Sequence, residues 1–369
     1  MCAFYPRSLG RQREKCPAQK GMVIGMKKVL LGMSGGVDST YAVHLLKEQG
    51  YYVEGVVLRM HDYTEVEEAK AAAEALAIPL QVICVEKLFE EKVIEDFCDA
   101  YRNARTPNPC IVCNEHVKFR ALYEEAMRRG FDAIATGHYA RVVQLSGRYA
   151  IAEAKDLKKD QSYMLYRLPQ EILARLLLPL GDCTKTDVVA QASELRLAVA
   201  HRPESQEICF VKEDYADYIE KRCGPSEEGF FVNEQGSVIG QHRGIIRYTV
   251  GQRKGLGVSA STRLFVKEIQ SEDNVIVLAP SAPTAIGFTL ERIVFSGASP
   301  EDMLFSGEVK IRVRYQAALI SATMTRDANG AWQVSLKDKA VFVTAGQSAV
   351  VYRDGIVLCG GFISRPNMN

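Results

Sequence analysis

Three cysteines, two of them close together in the sequence, are the residues of this chain best suited to covalent chemistry. Cys110 and Cys113 form a CxxC within RTPNPCIVCNEHVKF, directly after Pro107 and Pro109. The prolines make the approach rigid and non-helical, and a helical pattern follows, so we expect a helix to begin at the CxxC. The positive end of a helix stabilises a thiolate. The pattern therefore predicts a lowered thiol pKa and a cysteine that acts as a nucleophile or a ligand.

The third cysteine, Cys209, lies far along the chain in RPESQEICFV, where polar residues give way to apolar ones. Taken alone, such a cysteine is more often a small buried side chain than a catalyst. The chain holds ten cysteines and no apolar export signal near its start, so we expect reduced thiols. Close cysteine pairs then indicate metal or redox chemistry. Structural zinc is the weaker alternative, because no second CxxC and no HxxxH supplies the remaining ligands.

A glycine-rich turn at residues 31–39, LGMSGGVDS, is the second feature that predicts chemistry. An apolar run precedes it and a helical pattern follows it, which indicates a turn between a first strand and a first helix. Gly32, Gly35 and Gly36 let the backbone approach a ligand, and the exposed N–H groups suit a phosphate. Asp38 suits a metal ion or can orient the loop. The lysine that a Walker A loop needs is missing.

The pattern SGGxDS in this turn resembles the PP-loop of ATP pyrophosphatases. These enzymes split ATP between the α and β phosphates and adenylate a substrate oxygen. The alternative is a glycine-rich turn without a ligand, which the full match at a strand–helix junction disfavours.

Alternating strand and helix patterns over residues 27–200 predict how the motifs are positioned. VEGVVL at 53–58, LQVICV at 80–85 and FDAIAT at 131–136 are typical of strands, and residues 66–76 form an Ala/Glu-rich helical pattern. Such alternation implies a parallel sheet with helices on both faces, and ligands bind at the carboxyl ends of its strands. We therefore expect three segments to converge there: the glycine-rich turn, the residues after Leu58, and Gly137-His138.

Beyond about residue 215, short strand patterns alternate with Gly, Asn and Asp turns, and no long helical period appears. This predicts one or two small antiparallel barrels. The predicted fold class is α/β: a parallel-sheet, Rossmann-like PP-loop domain followed by two small β domains, with a β-barrel at the C-terminus. The predicted segments are a basic, disordered extension at 1–25, a catalytic domain at 26–214, a central β domain at 215–282 and a C-terminal barrel at 283–369.

Composition limits the function classes. Hydrophobic residues make up 47% and charged residues 25% of the chain, as in ordinary soluble proteins. The net charge of +1 neither demands nor excludes a nucleic-acid partner. No run of eighteen apolar residues exists, so we expect no membrane span and a cytoplasmic protein. Residues 1–28 hold seven Lys or Arg and one acid, which favours a disordered tail over a mitochondrial presequence.

Six motifs occur in one order along the chain: LGMSGGVDS, TPNPCxxCN with KF, ATGHYAR, KDQSYML, ESQEICF and TVGQRKGLG. Together they resemble the tRNA-specific 2-thiouridylases, which replace O2 of the wobble uridine with sulfur, and the resemblance covers residues 27–365. It implies an enzyme that uses ATP with Mg²⁺ and acts on tRNA. It also implies a sulfur donor, either a cysteine desulfurase or a sulfur-relay protein, and no membrane.

The resemblance also implies roles for individual residues. Cys113 matches the catalytic cysteine, Cys209 the cysteine that carries persulfide sulfur, and Asp38 belongs to the catalytic set. The implied ATP-binding residues are Gly32, Met33, Ser34, Gly35, Gly36, Val37, Asp38, Ser39, Leu58 and Gly137. The implied tRNA contacts are Asn108, Pro109 and Cys110 at the target base, together with His138, Lys159, Asp160, Gln161, Arg314, Tyr315 and Gln347. Without the resemblance, residues 159–161 are ordinary residues of a solvated loop.

The chemistry of the reaction agrees with these residues. The C2 carbonyl of a pyrimidine is a poor electrophile because its oxygen leaves badly, and adenylation converts that oxygen into part of AMP. Sulfur must then arrive as a strong nucleophile, which suits a cysteine persulfide, and a second thiolate can attack the carrier sulfur or release sulfide.

Cys110 departs from the family pattern, because many members have an aspartate in its place. Two explanations stay open. Cys110 replaces the carboxylate while Cys113 and Cys209 perform persulfide chemistry, or all three thiolates bind a [4Fe–4S] cluster whose fourth iron is free to hold sulfide. Two further functions compete: another adenylating PP-loop ligase, and a non-catalytic RNA-binding protein that holds a metal through its CxxC.

Two basic segments suit contacts with tRNA phosphates. Residues 240–258 include four Lys or Arg and no acid among several glycines. In the strand pattern around residue 312, alternation predicts that Lys310, Arg312 and Arg314 share one face, and a solvated surface is the plainer alternative for both segments. A wobble base must also leave its stack to enter a pocket.

Overall fold

The computed structural model describes residues 26–145, 147–195, 197, 208–304, 307–337 and 342–368. The predicted basic extension at 1–25 lies outside the described residues, as do residues 204–207 of the ESQEICF motif. The strands are β1 Lys28–Gly32, β2 Tyr52–Arg59, β3 Leu80–Cys84, β4 Ala133–Thr136, β5 Arg141–Leu145, β6 Arg148–Ala152, β7 Leu176–Leu177, β8 Gly229–Val232, β9 Val238–His242, β10 Phe265–Gln270, β11 Val275–Ala279, β12 Ala285–Phe295, β13 Glu308–Arg312, β14 Ile320–Arg326, β15 Trp332–Leu336, β16 Ser348–Arg353 and β17 Ile356–Met368.

Ten α-helices are described. They are α1 Val37–Glu48, α2 Val66–Ala75, α3 Glu86–Phe89, α4 Glu95–Arg102, α5 Pro109–Cys113, α6 Phe119–Arg128, α7 Gln170–Leu173, α8 Lys185–Glu194, α9 Tyr215–Cys223 and α10 Pro300–Leu304. Two π-helical turns, Glu90–Ile94 and Asn114–Lys118, join α3 to α4 and α5 to α6.

A five-stranded parallel sheet forms the centre of the first half of the chain, with the strand order β3-β2-β1-β4-β7. The middle strand β1 is buried on both faces, because Val29, Leu30 and Leu31 have no solvent-exposed surface. Apolar clusters on the two faces of the sheet are closed by helices, α1, α2 and α8 on one face and α6 and α7 on the other. The predicted α/β domain is confirmed, and the strands lie within two residues of their predicted starts.

The second half of the chain forms two antiparallel β structures, as predicted. One is a four-stranded sheet with the order β10-β11-β8-β9, in which β8 and β11 alone run parallel. In the other, β12, β15, β14, β13, β16 and β17 form a six-stranded barrel, which closes through pairing of β12 with β17. The expectation that no helix follows residue 215 is wrong, because α9 begins there and packs its Ala216 and Ile219 against α4 and Phe210.

The β5–β6 hairpin connects the two halves in a way the sequence pattern did not predict. It follows β4 in the chain, yet it extends the barrel sheet, because Ala152 of β6 pairs with Ile356 of β17. When a hairpin has one solvated face, the sequence of its strands does not show which sheet the hairpin will extend. The domain boundaries themselves stay predictions.

A buried ion cluster joins the barrel to the loop after β6. Arg312, the last residue of β13, donates from Nη1 to Asp160 Oδ2 at 2.9 Å and from Nη2 to Glu153 Oε1 at 3.0 Å. Asp160 is 3% exposed and also accepts bonds from the backbone N–H groups of Ala154 and Ser162. The expectation of a solvated loop at Asp160 is therefore wrong. The expectation that Arg312 lies on a solvated face with Lys310 is also wrong, because this loop covers it.

We expect Arg312→Met to lower the unfolding free energy of the barrel by about 3–5 kcal/mol, because the substitution leaves two buried carboxylates without their cation. The measurement is urea denaturation followed by the fluorescence of the single tryptophan, Trp332, which lies in this barrel. Lys310→Met on the same strand is the control, with an expected change within about 0.5 kcal/mol because that side chain is exposed. Equal midpoints for the two variants would contradict a stabilising ion cluster.

Candidate active site

A cavity of about 680 Å³ opens at the carboxyl edge of the parallel sheet. The predicted convergence is confirmed, because the glycine-rich turn, the residues after Leu58 and Gly137-His138 all line it. Of the residues named in the sequence analysis, the lining includes Gly32, Met33, Ser34, Asp38, Ser39, Leu58, Gly137, His138, Gln161 and Cys209. Gly35, Gly36 and Val37 belong to the same turn but are not among the lining residues.

Two glycines, Gly137 in the lining of this cavity and Gly35 beside it, bring backbone segments into contact. Gly137 follows β4, and a Cβ atom there would lie 2.8 Å from the backbone nitrogen of Ser39 in the first turn of α1. Gly35 has a φ of +77°, and a Cβ atom on it would lie 2.7 Å from the backbone nitrogen of Ala69 in α2. No larger residue fits either position without moving backbone. Asp38 and Ser39, in the first turn of α1, line the cavity, so the N-terminus of this helix lies at its edge and is a suitable site for phosphate.

Asp38 is held by two residues that the sequence analysis missed. Lys185 Nζ, at the start of α8, donates to both carboxylate oxygens at 2.7 and 2.8 Å, and the hydroxyl of Tyr139 donates to Oδ1 at 2.7 Å. Gln161 fixes Tyr139 in turn, since its side-chain oxygen accepts from the Tyr139 backbone N–H at 2.9 Å. Tyr139 lies in the ATGHYAR motif, so the sequence pointed to this residue. Lys185 lies in none of the motifs, so the sequence around it did not predict its role.

The three thiols of the sequence analysis lie in one region. Cys113 is 7% exposed and its thiol contacts the sulfur of Met60, a cavity-lining residue, at 3.7 Å. Cys209 and Cys110 are exposed, and the charges of Cys110 and Cys209 each act on Cys113. The tertiary structure thus brings together the CxxC and the distant cysteine beside the predicted nucleotide-binding turn.

The prediction of a lowered thiol pKa is wrong. Burial raises the pKa of Cys113 to about 12. Cys110 and Cys209 keep part of their surface in contact with solvent, but the protein atoms around their sulfur atoms displace enough water to raise the pKa of both thiols as well. The helix that begins at the CxxC is one short turn, Pro109–Cys113, so its partial charge is too weak to offset the loss of water around the sulfur atoms. In the folded protein without ligands, these cysteines are neutral thiols at pH 7.

The three cysteines do not form a metal-binding set. In the part of the chain that the structure describes, which includes all three, no group of three His, Cys, Asp or Glu side chains is placed to hold a metal ion. A [4Fe–4S] cluster spaces its cysteine ligands farther apart than a single ion does, so the cluster and the persulfide explanations both stay predictions.

The residues assigned to tRNA by resemblance lie in different surroundings. His138 and Gln161 line the cavity, and desolvation lowers the pKa of His138 to about 3, so its ring is neutral. Arg314 is exposed and Tyr315 is half-buried, with its ring 6.2 Å from that of Tyr163. Lys159 is half-buried, and Asp160 is enclosed in the ion cluster described above.

Gln347 and the segment before the CxxC are in direct contact. The Gln347 side chain donates to the carbonyl oxygen of Thr106 at 2.9 Å, and the Thr106 N–H donates to the carbonyl of Ala345 at 2.9 Å. Asn108 and Pro109 follow directly, and Asn108 Nδ2 lies 3.7 Å from the sulfur of Met164. The barrel therefore holds the chain that leads to Cys110 and Cys113.

The basic segment at residues 240–258 is less open to phosphate than its sequence indicates. Arg247 donates to Asp217 and Glu220 of α9 at 2.8 and 2.5 Å, so its charge is already neutralised. In the described part of the chain, no helix has the length and apolar character needed to cross a membrane.

The chain matches known protein families along most of its length. Residues 27–213 match the tRNA methyl transferase HUP domain, residues 216–280 the tRNA methyl transferase PRC-barrel domain, and residues 286–363 the aminomethyltransferase β-barrel domain.

Two relatives are named tRNA-specific 2-thiouridylase MnmA. The relative from Leptospira biflexa is 39% identical over 357 residues, covering 92% of this chain and 94% of that protein. The relative from Clostridioides difficile strain 630 is 41% identical over 358 residues, covering 92% and 98%. Among solved structures, a 4-thiouridine synthetase–RNA complex with bound ATP is 20% identical, covers 50% of this chain and 45% of that chain, and has a TM-score of 0.38.

The raised pKa of Cys113 predicts how the reaction rate of its thiol changes with pH. We expect the rate of its modification by methyl methanethiosulfonate to rise about tenfold per pH unit from pH 7 to 9 without a plateau, because the thiolate fraction grows in that proportion well below the pKa. Mass spectrometry of the Cys113 peptide measures the rate. In urea-unfolded protein the same rate should level off near the ordinary thiol pKa of about 8.5. A plateau near pH 7 in the folded protein would restore the prediction of a thiolate stabilised by the helix.

Proposed function

This chain belongs to the tRNA-specific 2-thiouridylase family, and we propose that it replaces the C2 oxygen of the wobble uridine of tRNA with sulfur. The reaction consumes ATP and yields 2-thiouridine, AMP and pyrophosphate. The observation that carries the proposal is that Cys113 and Cys209, from distant parts of the chain, lie near enough for their charges to interact, with Cys209 in the cavity that the glycine-rich turn lines. We also propose that it acts in the cytoplasm.

The glycine-rich turn and the start of α1 bind the phosphates of ATP in this proposal. Their N–H groups offset the phosphate charge, and Mg²⁺ accompanies the nucleotide, held mainly by phosphate oxygens. O2 of the uridine attacks the α-phosphorus, the bond to the bridging oxygen breaks, and pyrophosphate leaves. Asp38, already fixed by Lys185 and Tyr139, orients the turn and the metal-bound phosphates.

Sulfur transfer follows at C2. A donor protein first delivers sulfane sulfur to Cys209, which becomes a persulfide. The terminal sulfur attacks C2, the C2–O2 bond breaks, and AMP leaves with the bonding electron pair. Cys113 then attacks the Cys209 sulfur, which leaves sulfur on C2 and a disulfide between the two cysteines, and two thiol equivalents of a reductant restore both thiols. The alternative order, in which Cys113 attacks the persulfide first and releases sulfide, ends with the same disulfide.

The target base reaches the site out of its stack, which an unpaired wobble position allows. Asn108, Pro109 and Cys110 are the proposed contacts to the base, and neutral His138 in the cavity lining is a further proposed hydrogen-bonding group. Lys159, Gln161, Arg314 and Tyr315 are the proposed contacts to the rest of the tRNA. Gln347 acts through the Thr106 carbonyl that it holds. Asp160 fixes the position of the adjoining residues Lys159 and Gln161 through its ion pair with Arg312.

Serine at either cysteine tests this assignment. We expect Cys113→Ser and Cys209→Ser to lose 2-thiouridine formation by at least about a hundredfold, because a hydroxyl neither carries sulfane sulfur nor attacks it readily. Pyrophosphate release in the presence of tRNA should stay within about threefold, since adenylation needs neither thiol. Cys359→Ser in the barrel core is the cysteine control for folding. Full thiolation by both variants would contradict the cysteine relay, and pyrophosphate release without any thiolation by the wild-type protein would favour another adenylating ligase.

Asp38 separates nucleotide chemistry from tRNA binding. We expect Asp38→Ala to abolish pyrophosphate release, because the turn loses its anchor and Lys185 loses its partner, while tRNA affinity in a filter-binding assay changes by less than about twofold. Asp132→Ala is the matched control, because that carboxylate accepts from Lys28 N–H at the opposite, amino edge of the sheet. Loss of tRNA binding by the Asp38 variant alone would show that this carboxylate serves tRNA instead.

A further inference from the structure

Lys118 lies at the junction of the nucleotide cavity and the three thiols. It is the last residue of the π-helical turn Asn114–Lys118, which begins directly after Cys113, and its half-buried side chain lines the cavity. Among the described residues, no carboxylate forms an ion pair or hydrogen bond with its ammonium. Within the described part of the chain, no acidic side chain therefore neutralises the charge of Lys118.

The charge of Lys118 acts on every reactive group around it. It favours the thiolate forms of Cys110, Cys113 and Cys209, and it opposes protonation of His138. The backbone N–H of Lys118 also donates a hydrogen bond to the Cys113 thiol. Burial outweighs these effects in the free protein, so the thiols are neutral until chemistry begins.

The π-helical turn explains how one residue serves both the thiol and the cavity. A π turn holds one residue more than an α turn, so it shifts the direction of every side chain that follows. It also changes which backbone N–H groups find partners within the helix. Here the turn begins directly after Cys113 and ends at Lys118. The helix α6 begins at the next residue, Phe119, whose ring centre lies 5.4 Å from that of His138. Such turns occur frequently at functional sites.

The second lysine of the cavity is placed differently. Lys212 Nζ lies 5.3 Å from the centre of the Tyr63 ring, so a cation–π contact already engages its charge. Lys185 is bound to Asp38. The charge of Lys212 acts on Cys209 but not on Cys110 or Cys113, whereas the charge of Lys118 acts on all three thiols.

We propose that Lys118 is a catalytic residue of sulfur transfer, whose ammonium stabilises the negative charge of the sulfur nucleophile and of the departing AMP. The proposal rests on the proposed function and adds a residue to it. When the persulfide sulfur bonds to C2 and the C2–O2 bond breaks, charge moves from sulfur to the phosphate oxygen of AMP. A single ammonium between the thiols and the nucleotide cavity stabilises both ends of that movement. Lys118 transfers no proton in this step.

The test compares Lys118→Gln, Lys118→Arg and the exposed control Lys87→Gln. For each variant, 2-thiouridine formation and tRNA-dependent pyrophosphate release are measured separately. Modification of Cys113 by methyl methanethiosulfonate at pH 8 is measured on the protein alone, without ATP or tRNA. The midpoint of thermal unfolding reports on folding.

We expect Lys118→Gln to lower thiolation about a hundredfold and pyrophosphate release by less than about threefold, as loss of one charge-stabilising group does. Cys113 modification should slow by about tenfold, which corresponds to one unit of thiol pKa. Lys118→Arg keeps the positive charge and should recover at least a tenth of wild-type thiolation. Lys87→Gln should match wild type in all four measurements.

Three results would overturn the proposal. Lys118→Gln retains thiolation, or it loses pyrophosphate release and thiolation equally, or Cys113 reacts at an unchanged rate. An unfolding midpoint lowered equally in the Gln and Arg variants, with equal loss of activity, would indicate a structural lysine. The thiol measurement needs no tRNA. A wild-type protein that fails to thiolate tRNA, yet shows the slower Cys113 reaction in Lys118→Gln, would therefore refute the proposed function and leave the local electrostatic role intact.

Discussion

Loss of water at the carboxyl edge of the parallel sheet is the constraint on which the candidate site depends. Desolvation keeps His138 neutral, raises the pKa of the Cys113 thiol to about 12, and makes each remaining charge count for more. The carboxylate of Asp38 meets this constraint with a lysine and a tyrosine hydroxyl. The charge of Lys118 faces sulfur atoms instead of a carboxylate, which gives the cavity a positive side suited to an anionic substrate.

The barrel contributes to this site from a distance. Gln347 holds the chain just before the CxxC, and Arg312 holds the loop that carries Gln161. Gln161 in turn binds the backbone of Tyr139, whose hydroxyl reaches Asp38. The β5–β6 hairpin adds a continuous sheet between the two halves of the chain. The barrel, whose Arg314 and Tyr315 are the proposed tRNA contacts, is thereby connected by hydrogen bonds to both the sulfur and the nucleotide parts of the site.

The errors of the sequence analysis share one physical origin. A helix N-terminus does stabilise a thiolate, but α5 is a single turn and burial of Cys113 outweighs it. Asp160 and Arg312 have the composition of solvated residues, and each is buried because the other supplies its counter-charge. Arg247 has the sequence of a phosphate contact and is neutralised by two acids of α9. In each case the deciding partner comes from a distant segment, which local pattern does not contain.

The sequence by itself determined the parallel sheet, the glycine-rich turn at its edge and the family, because apolar periodicity and glycine spacing are local properties that survive into the fold. It also identified the two cysteines of the proposed sulfur relay. Only the tertiary structure decided that Cys113 and Cys209 lie close together, that Lys185 binds Asp38, and that the charge of Lys118 acts on the thiols. These outcomes depend on which side chains from distant segments are packed together away from water. The energy of a charge in such a place is set by the groups around it in space, and not by the residues next to it in the chain.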